Sequence, residues 1–279
     1  MMNRLSTLNT PETSSRVPST RNNPETSGAE DTAVLHQVII TIDGPAGTGK
    51  STAAHGLAKR IGLEFLDTGA MYRAAALLAI EADIDPKDGP AVAKIVRGAA
   101  MHFDWESAPP RLYLGDRDVS RRIRELDVGA KVSTVSKQSE LREVLVEHQR
   151  RIAERHPRLV SEGRDQGSVV FPHADVRFFL DATPEERARR RVAQFAADGR
   201  VVAFEDVLRE IEMRDHLDST REDGPLIKPE GAIEIDTGPL SETEVVDALE
   251  RHVRNLLPPD AFEDGPDDPT PPAGPETAG

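Results

Sequence analysis

The stretch GPAGTGKS, Gly44 to Ser51, decides the fold of this chain. It follows the β-branched run VIITI (38–42) and opens the stretch KSTAAHGLAKRIG (50–62), whose apolar and small residues recur at helical spacing. Gly44 and the triplet Gly49-Lys50-Ser51 match in full the pattern of Gly, four residues, Gly, Lys, and Ser or Thr. A buried strand, a glycine-rich turn and a helix in this order predict a cradle for phosphate groups.

The phosphate cradle, residues 44–51, suits a nucleotide because of its backbone. Inward-pointing N–H groups and the positive end of the following helix attract phosphate oxygens. Lys50 is expected to reach the β- and γ-phosphates, the Ser51 hydroxyl to bind Mg²⁺, and Thr52 to add a hydroxyl for a neighbouring phosphate. The alternative is a glycine-rich turn that only connects a strand to a helix.

Composition excludes several classes of protein. The 279 residues carry a net charge of −14 and no cysteine, which excludes disulfides, thiolate metal sites and a cysteine nucleophile and favours a reducing, cytoplasmic location. The chain shows no apolar run long enough for a membrane span and no signal-peptide layout, so we expect a soluble, non-exported protein. The acidic balance argues against a nucleic-acid surface, although arginines cluster locally in RDVSRRIR (117–124) and ERARRR (186–191).

Two polar tails flank the predicted folded region. Residues 1–36 are rich in Ser, Thr, Pro and Asn, and residues 258–279 are acidic and Pro-rich without Lys or Arg. Neither tail has the apolar residues to bury a core, so both are predicted to be disordered. The folded region is expected to span residues 37–257.

Strand and helix patterns alternate through that region. Further buried strands are predicted at RLVSEG (158–163), VRFFLDA (176–182) and AIEIDT (232–237). Further helices are predicted at GAMYRAAALLAI (69–80), ELREVLVEHQRRIAER (140–155), PEERARRRVAQFA (184–196) and AFEDVLREIEMRDHLDS (203–219). This alternation predicts an α/β fold with a central parallel sheet covered on both faces. AMHFDWE (100–106) and PRLYLGDRDVS (110–120) interrupt it and favour antiparallel strands of an inserted subdomain.

Five segments carry a resemblance to a known family. They are IDGPAGTGKST (42–52), FLDTGAMYRA (65–74), EGRDQGSVVFPHADVRFFLDATPEERARRR (162–191), RDHLDSTRE (214–222) and IDTGPLSETEVV (235–246). In this order they resemble bacterial cytidylate kinases over almost all of residues 37–257. The resemblance implies the three-layer P-loop NTPase fold, with an insertion at about 67–158 that binds the nucleoside monophosphate and a helical, Arg-rich lid at about 184–200.

The resemblance also implies an activity and its partners. The family transfers the γ-phosphoryl group of ATP to CMP or dCMP, with Mg²⁺ arriving with ATP, and UMP is expected to be a poorer acceptor. The small-molecule partners would be ATP and CMP or dCMP, and the chain would be a monomer. The residues implied to bind ATP are Gly44, Pro45, Ala46, Gly47, Thr48, Gly49, Lys50, Ser51 and Thr52.

The family pattern assigns further residues to CMP and to catalysis. Thr68 and Arg73 would lie near the monophosphate, Ser133 and Arg142 would contact base edges, and Asp165 would recognise cytosine. Asp218 and Arg221 would recognise the ribose and the monophosphate. Arg164, which would contact the transferring phosphate, and Arg214 are further residues implied to bind CMP. The implied catalytic residues are Lys50, Arg164, Arg187, Arg190 and Arg191. The family commonly has an aliphatic residue where Gln166 stands, which is expected to affect packing and not the reaction.

Structural alternatives exist for these residues. Thr68 could cap the helix that follows it, with Arg73 solvated on that helix. Arg164–Asp165 and Asp218–Arg221 could be ordinary surface ion pairs, and the arginines of 184–196 a solvated helix face. At the level of the whole chain, a P-loop switch or motor ATPase, a regulator without turnover, and a shikimate or dephospho-coenzyme A kinase are the competing classes.

Overall fold

The computed structural model describes residues 37–197 and 199–262. The predicted tail 1–36, and residues 263–279 of the predicted tail 258–279, lie outside the described residues. The folded region extends past its predicted end at Leu257, because the short turn Pro259–Phe262 places Ala261 in the core, where it is 4% exposed. None of the helices in the described ranges is both long and apolar enough to cross a lipid bilayer.

The described residues contain eight strands and eight α-helices. They include each predicted strand and helix, and three helices, at 89–97, 126–135 and 242–256, that were not predicted. The strands are β1 Val38–Asp43, β2 Glu64–Asp67, β3 Met101–Asp104, β4 Arg111–Leu114, β5 Arg117–Asp118, β6 Arg158–Glu162, β7 Val176–Asp181 and β8 Ile233–Asp236. The helices are α1 Lys50–Ile61, α2 Thr68–Glu81, α3 Gly89–Arg97, α4 Leu126–Val135, α5 Ser139–Arg155, α6 Pro184–Ala197, α7 Phe204–Thr220 and α8 Glu242–Leu256.

Five strands form a parallel sheet with the spatial order β2-β6-β1-β7-β8. The first strand is central: its residue Ile40 pairs with Val160 of β6 on one side and Val176 of β7 on the other. Every residue of β1 is buried, which explains why its sequence reads as a continuous apolar run. Because the strands are parallel, their carboxyl ends meet at one edge of the sheet, and the phosphate cradle lies there.

Helices cover both faces of the sheet. Alternate residues of β1 point to opposite layers: Ile39 packs with α2 and α5, whereas Ile40 and Ile42 pack with α1 and α8. A capping box at Ser241 and Glu244 fixes the start of α8. The three-layer P-loop fold with a central parallel sheet is therefore confirmed.

The strands β3, β4 and β5 form a separate antiparallel sheet, as predicted for the insertion. Apolar residues of this sheet join the same core as α2 to α5. Arg117 of β5 makes two hydrogen bonds, of 2.7 and 2.6 Å, to the carboxylate of Glu81 at the end of α2. The small sheet thus packs onto the helices that cover one face of the main sheet.

Candidate active site

Three glycines of the phosphate cradle have backbone angles that other residues rarely adopt. Gly44, Gly47 and Gly49 have φ of 146°, 85° and 85°. A Cβ at Gly44 would lie 2.0 Å from the carbonyl oxygen of Leu180 in β7. The turn therefore needs glycine both for its dihedral angles and for the close approach of the neighbouring strand.

Lys50 is buried inside the phosphate cradle. It is the first residue of α1, it is 4% exposed, and its Nζ donates to the Pro45 carbonyl oxygen at 2.6 Å. Burial lowers the pKa of Lys50, and the positive charge of Arg164 lowers it further. Bound phosphate would oppose both effects, because a nearby negative charge favours the charged amine. The position of Lys50 fits a residue that binds phosphate.

Sequence reasoning missed Glu162, a carboxylate beside the cradle. It ends β6, and its Oε1 accepts a hydrogen bond of 2.6 Å from the Ser51 hydroxyl. Burial raises the pKa of Glu162, and the nearby carboxylate of Asp67 raises it further. A hydroxyl and a crowded pair of carboxylates form an oxygen donor set that suits Mg²⁺. The available signal was the place of Glu162 at the carboxyl end of a strand next to β1.

Thr68 and Arg73 lie on α2 beside this group. The helix cap is Asp67, whose Oδ1 accepts from the Ala70 amide at 2.9 Å, so the alternative that Thr68 caps the helix is wrong. The Thr68 hydroxyl instead donates to the Glu162 carbonyl oxygen at 2.7 Å. Arg73 donates weakly to the Ile123 carbonyl oxygen, at 3.3 Å, and burial lowers its pKa. Arg73 is therefore not a fully solvated helix charge.

Asp165 is held in a buried cluster of charges. Arg142 of α5 is hydrogen-bonded to its Oδ2, and Arg221 lies 3.8 Å from its Oδ1. The same Arg142 donates to the Tyr72 hydroxyl at 3.2 Å, and burial raises the pKa of Tyr72 to about 12. Asp165 and Arg142 are 3% and 4% exposed, which rules out a surface ion pair. Arg142 therefore holds the Asp165 carboxylate in place by a buried hydrogen bond.

A second charged group surrounds Asp218 on α7. Arg164 Nε donates to its Oδ2 at 3.0 Å, and Arg214 lies 4.0 Å from the same oxygen. Burial alone would raise the pKa of Asp218, but the surrounding arginines outweigh it and hold that pKa below its usual value. Burial and the charge of Arg164 lower the pKa of Arg214 to about 10. This surplus of positive charge suits an anionic ligand.

The three predicted lid arginines on α6 have different surroundings. Arg187 is 2% exposed and donates to Ala182, Ala46 and Asp215. Arg190 is hydrogen-bonded to the carbonyl oxygen of Thr237, after β8. Arg191 is half-buried, 3.8 Å from Glu210 and stacked on Phe195. The alternative of a wholly solvated helix face is therefore wrong for Arg187.

One cavity of about 800 Å³ contains most of the predicted site residues. Those that line it are Ala46, Gly47, Thr48, Gly49, Lys50, Ser51, Thr52, Thr68, Arg73, Ser133, Arg164, Asp165, Arg187, Arg190, Arg191, Arg214, Asp218 and Arg221. Gly44, Pro45 and Arg142 are not among the lining residues. Lining residues that sequence reasoning missed include Tyr72, Arg124, Ser136, Glu162, Gln194 and Ser241.

Gln166 lies behind the cavity. It is fully buried, accepts from the Ser161 hydroxyl at 2.8 Å and donates to the Gln149 side-chain oxygen at 3.1 Å. Its backbone N–H donates to Asp43, which ends β1 and also accepts from the Gly167 N–H. The polar side chain of Gln166 therefore joins a buried hydrogen-bond network outside the cavity.

Comparison with known proteins identifies relatives of the whole folded region. The cytidylate kinase family profile matches residues 40–255. The cytidylate kinase of Caldanaerobacter subterraneus subsp. tengcongensis is 47% identical over 217 residues, which cover 78% of this chain and 95% of the relative. The cytidylate kinase of Mycobacterium avium is 45% identical, over 79% of this chain and 95% of the relative. That of Geobacter sp. (strain M21) is 42% identical, over 79% of this chain and 94% of the relative.

The match spans the phosphate cradle, the inserted antiparallel sheet and the arginines of α6 and α7 together. Both the identity and the coverage are high, and the fold and the charged cavity agree with them. The chain belongs to the cytidylate kinase family and is a nucleoside monophosphate kinase.

Proposed function

We propose that this kinase uses ATP to phosphorylate CMP, and dCMP as well, by direct transfer of the γ-phosphoryl group. The observation that supports it most is the content of the cavity of about 800 Å³, which holds the phosphate cradle together with two arginine-rich carboxylate groups. A site for ATP hydrolysis alone would not need, beside the cradle, a second subsite that binds an anion. The two groups around Asp165 and Asp218 provide a place for a nucleoside monophosphate.

On the donor side, the cradle binds the phosphates of ATP. Its backbone N–H groups and the start of α1 supply partial positive charge, and Lys50 supplies a full one. Arg190 and Arg191 on α6 line the same cavity. Closure of this helix over bound nucleotide would exclude water, which would otherwise compete as the phosphoryl acceptor.

On the acceptor side, charge and hydrogen bonding favour cytosine. Asp165 is a fixed acceptor, and the exocyclic amine of cytosine is a donor, as in other carboxylate–cytosine contacts. Uracil has a carbonyl oxygen at that position, which an ionised carboxylate repels. Ser133 on α4 lines the cavity and is a second contact for the base edge. Arg142 acts on the base through Asp165.

The monophosphate of the acceptor is assigned to arginines. Arg73, Arg164 and Arg221 line the cavity, and a guanidinium fork matches phosphate oxygens. Asp218 is the candidate acceptor for a ribose hydroxyl. An anionic phosphate oxygen is already a nucleophile, so the reaction needs positioning and charge stabilisation and no general base.

Magnesium is the metal that this site fits. Ser51 Oγ and the Glu162 carboxylate are 2.6 Å apart and would hold it, with Asp67 close by. Bound with ATP, the ion would neutralise charge on the β- and γ-phosphates. The Ser51 hydroxyl donates to Glu162, which keeps the hydroxyl beside the cradle.

A coupled ADP-release assay tests this function across CMP, dCMP, UMP, AMP, GMP and shikimate, with and without a chelator. We expect kcat/KM to be highest with CMP and dCMP, roughly 100-fold or more lower with UMP because Asp165 has no donor to pair with, and lost without divalent metal. Absence of CMP turnover, or equal ADP release without any acceptor, would overturn the proposal.

A further inference from the structure

The carboxylate of Asp215 on α7 is connected to the phosphate cradle by one arginine, Arg187, which contacts both. Its Oδ2 accepts a hydrogen bond of 2.6 Å from Nη2 of Arg187 on α6. Its Oδ1 is buried and has no hydrogen-bond partner among the described residues. The carboxylate therefore has one strong contact, and that contact is with Arg187.

Arg187 contacts the cradle with the rest of its guanidinium. Nη1 donates to the carbonyl oxygen of Ala46 at 3.1 Å, and Nε donates to the carbonyl oxygen of Ala182 at 2.9 Å. A Cβ at Gly47 would lie 3.2 Å from the Cβ of Arg187, so the arginine stem packs directly against the turn. All three nitrogens of Arg187 thus have protein acceptors.

These contacts connect the two halves of the cavity. Asp215 adjoins Arg214 and lies three residues before Asp218, the two α7 residues proposed to bind the acceptor. Its partner Arg187 touches Ala46, within the ATP-binding turn. A path of two polar contacts therefore runs from the acceptor-binding helix to the phosphate cradle.

We propose that Asp215 is a positioning residue that couples acceptor binding to ATP binding by holding Arg187 against Ala46. The inference rests on the function proposed above, because it assigns the two ends of the path to CMP and ATP. Without Asp215, the buried Arg187 loses its only described ion partner and its fixed position against the cradle. The contact path from α7 through Arg187 to Ala46 would then be broken.

The same two helices offer a matched control. Glu210 on α7 lies 3.8 Å from Arg191 on α6, and its side chain is 62% exposed. Glu210→Gln removes one negative charge from α7, as Asp215→Asn does. Its partner is Arg191, so the contact of Arg187 with the cradle is left in place. An effect of charge or of helix packing alone would appear in both variants.

The test is calorimetric titration of a non-hydrolysable ATP analogue with Mg²⁺, with and without saturating CMP. In the wild-type protein we expect CMP to tighten analogue binding about fivefold or more, within the usual range of coupling between sites. In Asp215→Ala that ratio should fall to about one, with Asp215→Asn intermediate because its amide oxygen still accepts from Arg187. Binding of CMP alone should stay unchanged, and Glu210→Gln should keep the wild-type ratio.

A wild-type ratio near one, a normal ratio in Asp215→Ala, or an equal loss in Glu210→Gln would each overturn the inference. Thermal unfolding of each variant identifies loss of fold, and Asp215→Asn decides the matter if Asp215→Ala does not fold. Turnover of CMP by the wild-type protein is measured in parallel. Turnover with normal coupling in the variants would reject the inference alone, whereas a wild-type protein without CMP turnover would reject the proposed function.

Discussion

Lys50 is a buried cation placed among other cations. Its amine donates to Pro45 within the cradle, and both burial and the Arg164 charge lower its pKa. Burial and neighbouring positive charge disfavour the charged amine, whereas the negative charge of a polyphosphate would favour it. Lys50 is therefore expected to stabilise the charge of the transferring phosphoryl group more than it stabilises the fold.

Replacement of Lys50 by alanine is expected to lower kcat by about 100- to 1000-fold, the effect of removing one preorganised charge donor from a transition state. The fold should persist, because the lysine contributes no apolar packing that the cavity needs. Steady-state kinetics and thermal unfolding measure the two effects. Lys59→Ala is the control: it lies on the exposed face of the same helix, and its turnover should be normal. Near-normal turnover in Lys50→Ala would contradict the mechanism.

At the residue level, sequence motifs placed most cavity residues but not their partners. The Gly-x-x-x-x-Gly-Lys-Ser pattern located Lys50 and Ser51 because all its residues are local in sequence. Ser51 and Glu162 are 111 residues apart in the chain, so no local pattern could reveal that contact. Asp215 was missed for the same reason, since only the packing of α7 against α6 brings it to Arg187.

At the level of elements, Asp43 connects β1 to the segment that carries Asp165. Its two carboxylate oxygens accept from the backbone N–H groups of Gln166 and Gly167 at 2.8 and 2.7 Å. Burial raises the pKa of Asp43 to about 6, although these two hydrogen bonds lower it. The charges of two neighbours have smaller effects: Asp165 raises this pKa and Lys50 lowers it. The strand that precedes the cradle and the segment that we propose faces cytosine thus share one buried carboxylate.

This raised pKa predicts a pH dependence of stability. The folded protein binds the Asp43 proton more tightly than the unfolded chain does, so its contribution is greatest below the unfolded pKa and is lost as the pH rises through about 6. The free energy of unfolding of the wild type, relative to Asp43→Asn, should fall between about pH 4 and pH 6, by at most about 3 kcal/mol. Urea unfolding at several pH values measures this difference. If the free energies of unfolding of the wild type and of Asp43→Asn change in parallel with pH, Asp43 does not titrate in this way.

Helical and strand periodicity predicted many of the elements, but not the helices α3, α4 and α8. The apolar run of β1, the amphipathic helices and the antiparallel insertion are all observed, because each depends on local side-chain patterns. The cap of α2 was less predictable: Thr68 and Asp67 are both good cap residues, and only the competing bond of Thr68 to the Glu162 carbonyl oxygen selects Asp67. Tertiary contacts thus decided the details that local preference left open.

At the scale of the whole folded region, the cavity lies at the carboxyl ends of the parallel strands. The cradle follows β1, Glu162 ends β6, and Thr68 follows β2, so the topology of one sheet brings donor and metal groups together. The helices α4, α6 and α7 then supply Ser133, which we propose contacts the base, and four of the eight arginines that line the cavity. We propose that this single cavity binds ATP and CMP together and allows a phosphoryl group to pass from one to the other.

The fate of a labelled phosphoryl group is a direct measurement of this transfer. The protein is incubated with Mg²⁺, CMP and ATP that carries the label in its γ-phosphoryl group, and the products are separated over time. We expect the label to appear in the β-phosphoryl group of CDP, in step with the formation of ADP, and not in inorganic phosphate. Label found only in inorganic phosphate, or retained in ATP while CMP is present, would contradict it.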